Sequence, residues 1–452
     1  MNNKVKNIIV AMSMVATCNV FAAVTAQEAE ALNNHLTPLG AERSGNSDGS
    51  IPAWTGGLTA NDVANPEAQP RENYFASDEV QYVVNAENLG QYEEVLSEGI
   101  AELVQKYPES FYLNVYETRR TAAAPDWVYE NTLKNATRTV TTNDGNSIDQ
   151  AFGGIPFPIP QTGAEVMWNH LLRWRGESVE APFRVFVGSS DGSNTLAVAA
   201  KDSHQFPYYK SDGSIEDFGG VAQYLRQVQT EPAFKSGESL LIHDPLDQIG
   251  EGRKAWQYLA GQRRVRRAPT VAFDTPDFVA SGQNYFDEVW MFFGSLERYN
   301  WNLIGKQEML IPYNNNEFLT KSTDEVLDGH HLNSEHMRWE KHRVWVVEAT
   351  LAPGERHVVP KKRFYIDEDS WAVVLVDGYD ANGKLWRVQH SVPFVAPDIP
   401  AVVTNTFTVF NLPANTWVAN NLYNELDVQY KPVRPLPERY FTPDALAGSG
   451  IR

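Results

Sequence analysis

The sequence predicts a mostly β protein of the α+β class, in which one large curled antiparallel sheet carries helices on one face. Strand-like segments separated by short turns dominate the chain from residue 182 to 412. Successive short strands of this kind form antiparallel meanders, and one sheet of this length is expected to curl. The clearest run of strands covers residues 342–351, 357–366, 371–379, 384–392 and 402–412.

Two connections in this run carry the residues of tight hairpins. Residues 380–383 end in the Asn382-Gly383 pair, which supplies the positive φ angles that a short hairpin turn requires. Residues 367–370 read Asp-Glu-Asp-Ser, and we interpret them as a second hairpin turn. Earlier strands are predicted at residues 182–187, 194–199, 256–265 and 301–313.

The first third of the chain predicts helices rather than strands. Between residues 86 and 107, apolar residues recur at a spacing of 3.6 with glutamates on the other face, which is typical of an amphipathic helix. We therefore expect one domain over residues 27–452. It would consist of N-terminal helices (27–175, with helices at 27–37, 86–107, 125–135 and 163–174), a β-meander (182–412) and a C-terminal tail (413–452).

A proline-rich segment separates the last two of these helices. Residues 151–160 read Ala-Phe-Gly-Gly-Ile-Pro-Phe-Pro-Ile-Pro. Because proline has no N–H, this segment cannot join a central strand, and we expect a rigid extended loop. Its large apolar side chains, Phe152, Ile155 and Phe157 among them, would either fill the core or form a lid over an apolar cavity.

The N-terminus predicts export. A short basic start precedes an apolar stretch from residue 8 to about residue 24, and small residues at Ala23 or Ala26 offer cleavage sites. This pattern is typical of a secretory signal peptide, here residues 1–26, and it predicts a periplasmic mature protein. Cys18, the single cysteine of the chain, lies in that leader, so we expect no disulfide. Thr17 directly before it makes lipoprotein anchoring unlikely in this interpretation.

The charge of the chain excludes some partners. There are 57 Asp+Glu against 38 Lys+Arg, a formal net charge of −19. A protein that binds nucleic acid needs a basic surface that releases condensed counterions, so nucleic acid is not an expected partner.

Four arginines form the most unusual local feature of this acidic chain, and they are Arg263, Arg264, Arg266 and Arg267. In a continuous strand, the first and last would share one face and the other two the opposite face. They would form either an ion-pair network with neighbouring carboxylates or a planar binding site for a phosphate or carboxylate headgroup.

No segment carries a strong catalytic pattern, and we expect no catalytic residue, metal ion or cofactor. Residues 188–192 match G-x-S-x-G, but strands on both sides indicate a hairpin turn instead of a nucleophile elbow. The histidine-rich segment 330–357 contains metal-ligand residue types, yet its spacing fits no helical zinc motif. A loop-borne metal site there stays open as an alternative.

Several segments together resemble one known family, and they are residues 36–43, 51–57, 119–125, 152–158, 261–269 and 343–350. They are similar to the "domain of unknown function 1329" family of exported proteobacterial proteins. The resemblance implies the half-open antiparallel barrel of the lipoprotein carriers LolA and LolB, with an apolar interior and covering helices. It also implies an accessory role beside a resistance-nodulation-division (RND) type exporter and an outer-membrane partner. No catalytic residues are implied.

These observations favour a non-catalytic periplasmic carrier of a lipid-like or acylated cargo. Burying an acyl chain gains about 0.8 kcal/mol per CH₂, so such a chain needs shelter in water. The candidate lining residues are Trp256, Tyr258, Trp345, Phe364, Tyr365, Trp371 and Trp386, with Phe152, Ile155 and Phe157 at the mouth. The alternatives are a periplasmic hydrolase or metal-dependent enzyme using residues 330–357, and an assembly subunit without a small ligand.

Overall fold

A computed structural model describes residues 24–269 and 271–449, and the predicted signal peptide lies almost entirely outside these residues. Within them, the helices are α1 Ala26–Ala29, α2 Glu98–Lys106, α3 Asp126–Arg138, α4 Gly163–Leu171, α5 Asn316–Leu319, α6 Thr323–Val326 and α7 Pro443–Ser449. None of the described helices has the length and apolar character needed to cross a membrane.

The strands account for most of the regular structure of the described residues. They are β1 Tyr82–Val84, β2 Leu113–Val115, β3 Val140–Thr142, β4 Ser147–Asp149, β5 Ser178–Gly188, β6 Asn194–Gln205, β7 Val221–Glu231, β8 Ser239–Pro245, β9 Lys254–Leu259, β10 Arg264–Arg267, β11 Tyr299–Pro312, β12 Leu327–Asp328, β13 His331–Leu332, β14 Arg338–Leu351, β15 Lys361–Asp367, β16 Val373–Tyr379, β17 Leu385–Ser391, β18 Phe394–Ala396, β19 Ala401–Val403, β20 Phe407–Asn411, β21 Thr416–Leu422 and β22 Lys431–Pro432.

Sixteen of these strands form one open sheet, which confirms the predicted mostly β class and the large antiparallel sheet. Its main order is β1-β2-β14-β15-β16-β17-β20-β21-β5-β6-β7-β8-β9-β10, with β11 beside β14 and β22 beside β5. The pairings are antiparallel except for a short parallel pairing of β2 with β14. The sheet does not close into a barrel.

The prediction that residues 413–452 form only a tail is wrong for its first residues, because they include strand β21. β21 lies in that range and pairs with both β20 and β5, so it joins the two halves of the sheet. The buried asparagines Asn420 and Asn421 hide the apolar pattern of a central strand. The rest of the tail does lie over the body, because Phe441 and Leu446 pack on Leu241 and Tyr258.

Two further expectations are also corrected. The helix predicted for residues 86–107 begins at Ser97, whose side chain accepts a hydrogen bond from the Ile100 N–H, and two short 3₁₀ turns precede it. The strand predicted for residues 256–265 is a hairpin, β9 and β10, whose turn places Arg263 in the left-handed region at φ 49°. Arg263 therefore does not share a strand face with Arg267.

The inner face of the sheet is the face that carries Leu240, Ile242 and Phe364, and residues 271–296 lie against it. We call these residues the plug segment. Its Phe292 ring lies 5.7 Å from the Phe364 ring, and its Val279 and Phe293 border the same small cavity as Leu240 and Ile242. The plug segment therefore occupies the apolar interior of the half-open barrel that the family resemblance implies.

Two buried ion-pair sets fix the plug segment to the sheet. Asp287 accepts from Lys362 Nζ at 2.7 Å, and Glu288 accepts from Arg387 Nη2 at 2.7 Å. Burial alone would raise the pKa of Asp287, but Lys362 and the adjacent His357 hold that pKa below its usual range.

The proline-rich loop at residues 151–160 is part of the core. Asn169 of α4 accepts from the Phe157 N–H at 2.9 Å and donates to the Phe157 carbonyl at 2.7 Å. Asn135 of α3 donates to the Gly154 carbonyl at 3.0 Å. These bonds satisfy backbone groups that no sheet could pair, so the loop is anchored on both helices.

Candidate functional site

The ten predicted lining residues do not come together around one cavity. Trp345, Phe364 and Trp371 share the inner-face side, where the Trp345 and Trp371 rings stack 6.1 Å apart. Trp371 is fully buried and donates from its indole nitrogen to the Leu39 carbonyl at 2.7 Å. Trp371 therefore packs under the N-terminal segment, Phe364 packs against Phe292 of the plug segment, and Trp345 is only partly buried.

Tyr365 and Trp386 lie on the opposite face of the same strands. Tyr365 donates to an Asp377 carboxylate oxygen at 3.0 Å, and the other Asp377 oxygen accepts from the Gly99 N–H of α2 at 3.0 Å. Trp386 donates to Asn411 at 3.0 Å. Both residues thus have structural partners on the α2 side of the sheet.

Trp256 and Tyr258 lie in a second, separate apolar cluster. This cluster forms where the C-terminal tail covers the face of β7–β10 that points away from the plug segment. The period-2 pattern of the sequence identifies such residues as strand residues but does not tell which face is the inner one.

Ile155 and Phe157 are buried in the proline-rich loop, whereas Phe152 borders a cavity. This outer cavity has a volume of about 370 Å³ and lies between the 206–221 connection and the tail at residues 435–438. Its wall combines aromatic and apolar side chains, those of Phe152, Phe206, Tyr209, Phe218, Tyr224 and Leu436, with the charged side chains of Glu177, Lys210, Asp217 and Glu438. Ligand pockets for small molecules have volumes of about 300–1,000 Å³, so this cavity is large enough for one.

An inner cavity lies between the plug segment and the inner face, and its volume is only about 30 Å³. That space holds about two water-sized spheres, too little for an acyl chain. Two fully buried carboxyl groups border it, those of Asp202 and Asp277. Burial raises the pKa of Asp202 to about 8 and that of Asp277 to about 6.

A buried arginine, Arg175, lies between the inner and outer cavities, and a second one, Arg173, is buried two residues before it. The Arg175 guanidinium lies 4.6 Å from the ring centre of Phe206, which borders the outer cavity, and 5.4 Å from that of Trp290, which borders the inner one. Arg173, two residues earlier, donates to the His170 carbonyl at 2.6 Å and to Thr404 at 3.2 Å.

Neither arginine forms an ion pair with a carboxylate among the described residues. Arg175 donates to the neutral Gln223 at 3.0 Å, and its Nε and Nη1 have no hydrogen-bond partner. Arg173 Nε also has no hydrogen-bond partner. Burial lowers the pKa of both groups, yet a guanidinium stays charged in proteins. Two adjacent buried positive charges therefore lack a counterion here.

Our sequence reasoning missed this pair. The signal was present as Arg-Trp-Arg at residues 173–175, at the end of the predicted helix 163–174, but two arginines at the end of a helix normally indicate solvent exposure. Only the burial of both side chains, at 2% and 3% relative exposure, distinguishes them from surface residues.

The predicted headgroup residues, by contrast, are exposed. Arg264, Arg266 and Arg267 lie on β10, the last strand in the sheet order, and Arg263 lies in the turn before it. Among the described residues none of the four forms an ion pair, so the predicted network alternative is not seen. Arg266 donates to Gln257 at 3.3 Å, and the Arg267 guanidinium lies 5.8 Å from the Trp256 ring centre. The hairpin is three strands from β7, about 14 Å at ordinary strand spacing.

The histidine-rich segment and the 367–370 turn meet in a buried polar cluster. His342 on β14 lies 3.0 Å from a Glu340 oxygen through Nε2 and 3.9 Å from Asp367 Oδ1 through Nδ1. The predicted hairpin turn is present, but it is buried instead of exposed, with Asp367 at 0% and Asp369 at 2% exposure. The G-x-S-x-G segment forms the predicted turn between β5 and β6.

The chain belongs to the family described as "Protein of unknown function (DUF1329)", whose model matches residues 83–447. The family resemblance of the sequence is thereby confirmed. An uncharacterized protein of Pseudomonas aeruginosa is 39% identical over 448 residues, which is 98% of this chain and 98% of that protein.

Two solved structures are similar at lower identity. A DUF1329 family protein from Desulfovibrio piger is 14% identical with a TM-score of 0.41, covering 60% of this chain and 92% of that one. A LolA superfamily protein from Nitrosomonas europaea is 12% identical with a TM-score of 0.38, covering 63% of this chain and 100% of that one.

Replacing Asp202 with Asn tests the environment of the inner cavity. Between about pH 4 and 8, Asp202 ionises in the unfolded chain but stays protonated in the folded one, so the wild type loses stability as pH rises. Asp202→Asn removes this loss. Its free energy of unfolding should therefore rise relative to the wild type across this range, by at most about 1.4 kcal/mol per pH unit.

Urea unfolding at several pH values measures this difference. Asp212→Asn, a change at an exposed loop position, serves as the control, and its free energy of unfolding should vary with pH as that of the wild type does. A stability difference between Asp202→Asn and the wild type that does not change with pH would show that Asp202 ionises normally.

Proposed function

We propose that this protein is a non-catalytic periplasmic carrier that holds the apolar part of an anionic amphiphile in the outer cavity. The observation that supports this most is the position of Arg175 behind Phe206 in the wall of that cavity, with the second buried arginine, Arg173, two residues before it. An apolar space backed by uncompensated positive charge is complementary to a molecule with an acyl chain and an acidic group.

The apolar part of the argument rests on the size and lining of the outer cavity. Burying eight methylenes there would gain on the order of 6 kcal/mol, enough to make binding favourable. Phe218 lies 5.6 Å from Phe152, ring centre to ring centre, and both border the cavity. Phe218 is only partly buried, on a connection between strands, so it is well placed to let a chain enter.

The charged part of the argument rests on desolvation. A buried guanidinium without a counterion is costly, and an acidic headgroup that reaches it would relieve that cost. The exposed arginines of the β9–β10 hairpin attract anions more weakly, because water and salt screen them. We therefore propose the buried pair as the main headgroup site and the hairpin as an outer contact for the same anionic cargo.

The cellular part of the proposal rests on the leader and the family resemblance. Export to the periplasm would place the carrier between the two membranes. An RND-type exporter and an outer-membrane protein are the proposed partners that deliver and receive the cargo.

Replacing Phe218 with Asp should weaken the binding of a fluorescent fatty acid by at least tenfold, which is about 1.4 kcal/mol. The reason is that a carboxylate in the cavity wall must be desolvated when the chain enters. Fluorescence titration measures this affinity. Phe234→Asp is the matched control, because Phe234 is 81% exposed and does not border the cavity. Equal affinities of the two variants would rule out the outer cavity as the binding site.

Replacing Arg175 with Gln should remove the preference for an anionic fatty acid over its uncharged methyl ester. The folded state should not become less stable, because the change removes a buried unpaired charge. The double variant Arg264→Gln and Arg266→Gln should keep most of the preference. Competition titration of the acid against its ester decides between the two sites, and loss of preference only in the double variant would assign the headgroup to the hairpin.

A further inference from the structure

The buried cluster around the 367–370 turn has features that neither core packing nor the proposed carrier function explains. It contains the carboxylates of Glu340, Asp367 and Asp369, together with His342. All four residues are at most 2% exposed. Burial of several carboxylates in one place is unfavourable unless each has a cation or enough hydrogen bonds.

Glu340 and Asp369 each have an arginine partner. Asp369 accepts two hydrogen bonds from Arg120, at 2.6 and 2.8 Å. Glu340 accepts from Arg338 at 2.6 Å. These two carboxylates are therefore compensated within the fold.

Asp367 is different, because no arginine or lysine pairs with it. Its Oδ2 accepts from the Ser370 hydroxyl at 2.5 Å, from the Ser370 N–H at 2.9 Å and from the Tyr313 hydroxyl at 3.3 Å, which are all neutral donors. Its Oδ1 has no hydrogen-bond partner and is fully buried. This oxygen faces His342 Nδ1 across 3.9 Å, too far for a hydrogen bond.

The other ring nitrogen determines what His342 can offer. Nε2 lies 3.0 Å from Glu340 Oε2, and an ionised carboxylate only accepts, so Nε2 carries the proton. In the neutral ring, Nδ1 then has a free lone pair directed at the Asp367 side. Histidines that bind metal ions usually donate their second N–H to a carboxylate in this way.

We infer that His342 Nδ1, Asp367 Oδ1 and a carboxylate oxygen of Asp369 bind a divalent transition-metal ion of the zinc type. These three ligand atoms all lie within 4.8 Å of one another. One imidazole and two carboxylates are a donor set that zinc accepts. Asp369 can take part while it is paired with Arg120, because each of its oxygens has a second lone pair.

The ion would stabilise the fold and would not catalyse a reaction. All three ligand side chains are buried, so a substrate has no access to the site. The ion would join β14, through His342, to the turn between β15 and β16, and it would bind Asp367 Oδ1 directly, whereas the His342 ring faces that oxygen only across 3.9 Å. This site is independent of the outer cavity and of the proposed cargo.

Equilibrium dialysis against Zn²⁺, followed by elemental analysis, tests the inference. The wild type should retain stoichiometric zinc, and its melting temperature should rise with zinc because the ion binds only the folded state. Asp367→Asn keeps the shape of the side chain and should lose both effects. His330→Gln changes a partly buried histidine of the same segment outside the cluster and should keep both.

Two results would overturn the site. One is a wild type that retains no more zinc than Asp367→Asn. The other is a loss of zinc in His330→Gln equal to that in Asp367→Asn, which would place the ion elsewhere. Because the comparison of wild type with and without zinc needs no variant, a misfolded Asp367→Asn protein would not prevent a decision.

Discussion

The buried ion pairs of Asp287 with Lys362 and of Glu288 with Arg387 fix the plug segment against the inner face of the sheet. They hold the plug segment in an unfavourable backbone, since Trp290 and Met291 have φ angles of 50° and 72°. All four charged side chains are at most 3% exposed, so water screens neither pair effectively. With the plug segment fixed, the inner face of the sheet is closed and its cavity shrinks to about 30 Å³.

This closure decides where a ligand can bind. An open sheet of this type could shelter a cargo on its inner face, but here that face is covered by the chain itself. The outer cavity, which is more than ten times larger than the inner one, lies away from this face, between Phe218 and Leu436. Arg175 lies 4.6 Å from the ring centre of Phe206 in the wall of that space, and in the proposed carrier this side chain would select an acidic cargo. We therefore keep the carrier hypothesis but place its binding site in the outer cavity instead of on the inner face of the sheet.

Much of the sheet can be predicted from the sequence, because the alternation of apolar and polar residues along a strand and the Asn382-Gly383 turn are local signals. β21 does not, because its buried asparagines hide the apolar period. The alternating pattern also does not tell which face of the sheet a predicted lining residue occupies. Trp256, for example, lies on the face that the C-terminal tail covers. The plug segment depends on ion pairs between residues 75 and 99 positions apart, and no local pattern encodes such contacts. The four hairpin arginines stand out in the sequence because they are adjacent, whereas only the structure, through their burial, identifies Arg173 and Arg175 as unusual.

Photoaffinity labelling with a diazirine fatty acid, mapped by mass spectrometry, addresses the location of the cargo most directly. We expect adducts on residues 206–224 and 435–438, which include the side chains that border the outer cavity. Adducts concentrated on the plug segment at residues 271–296 would contradict this expectation, because they would show that the segment leaves the inner face and that the cargo takes its place.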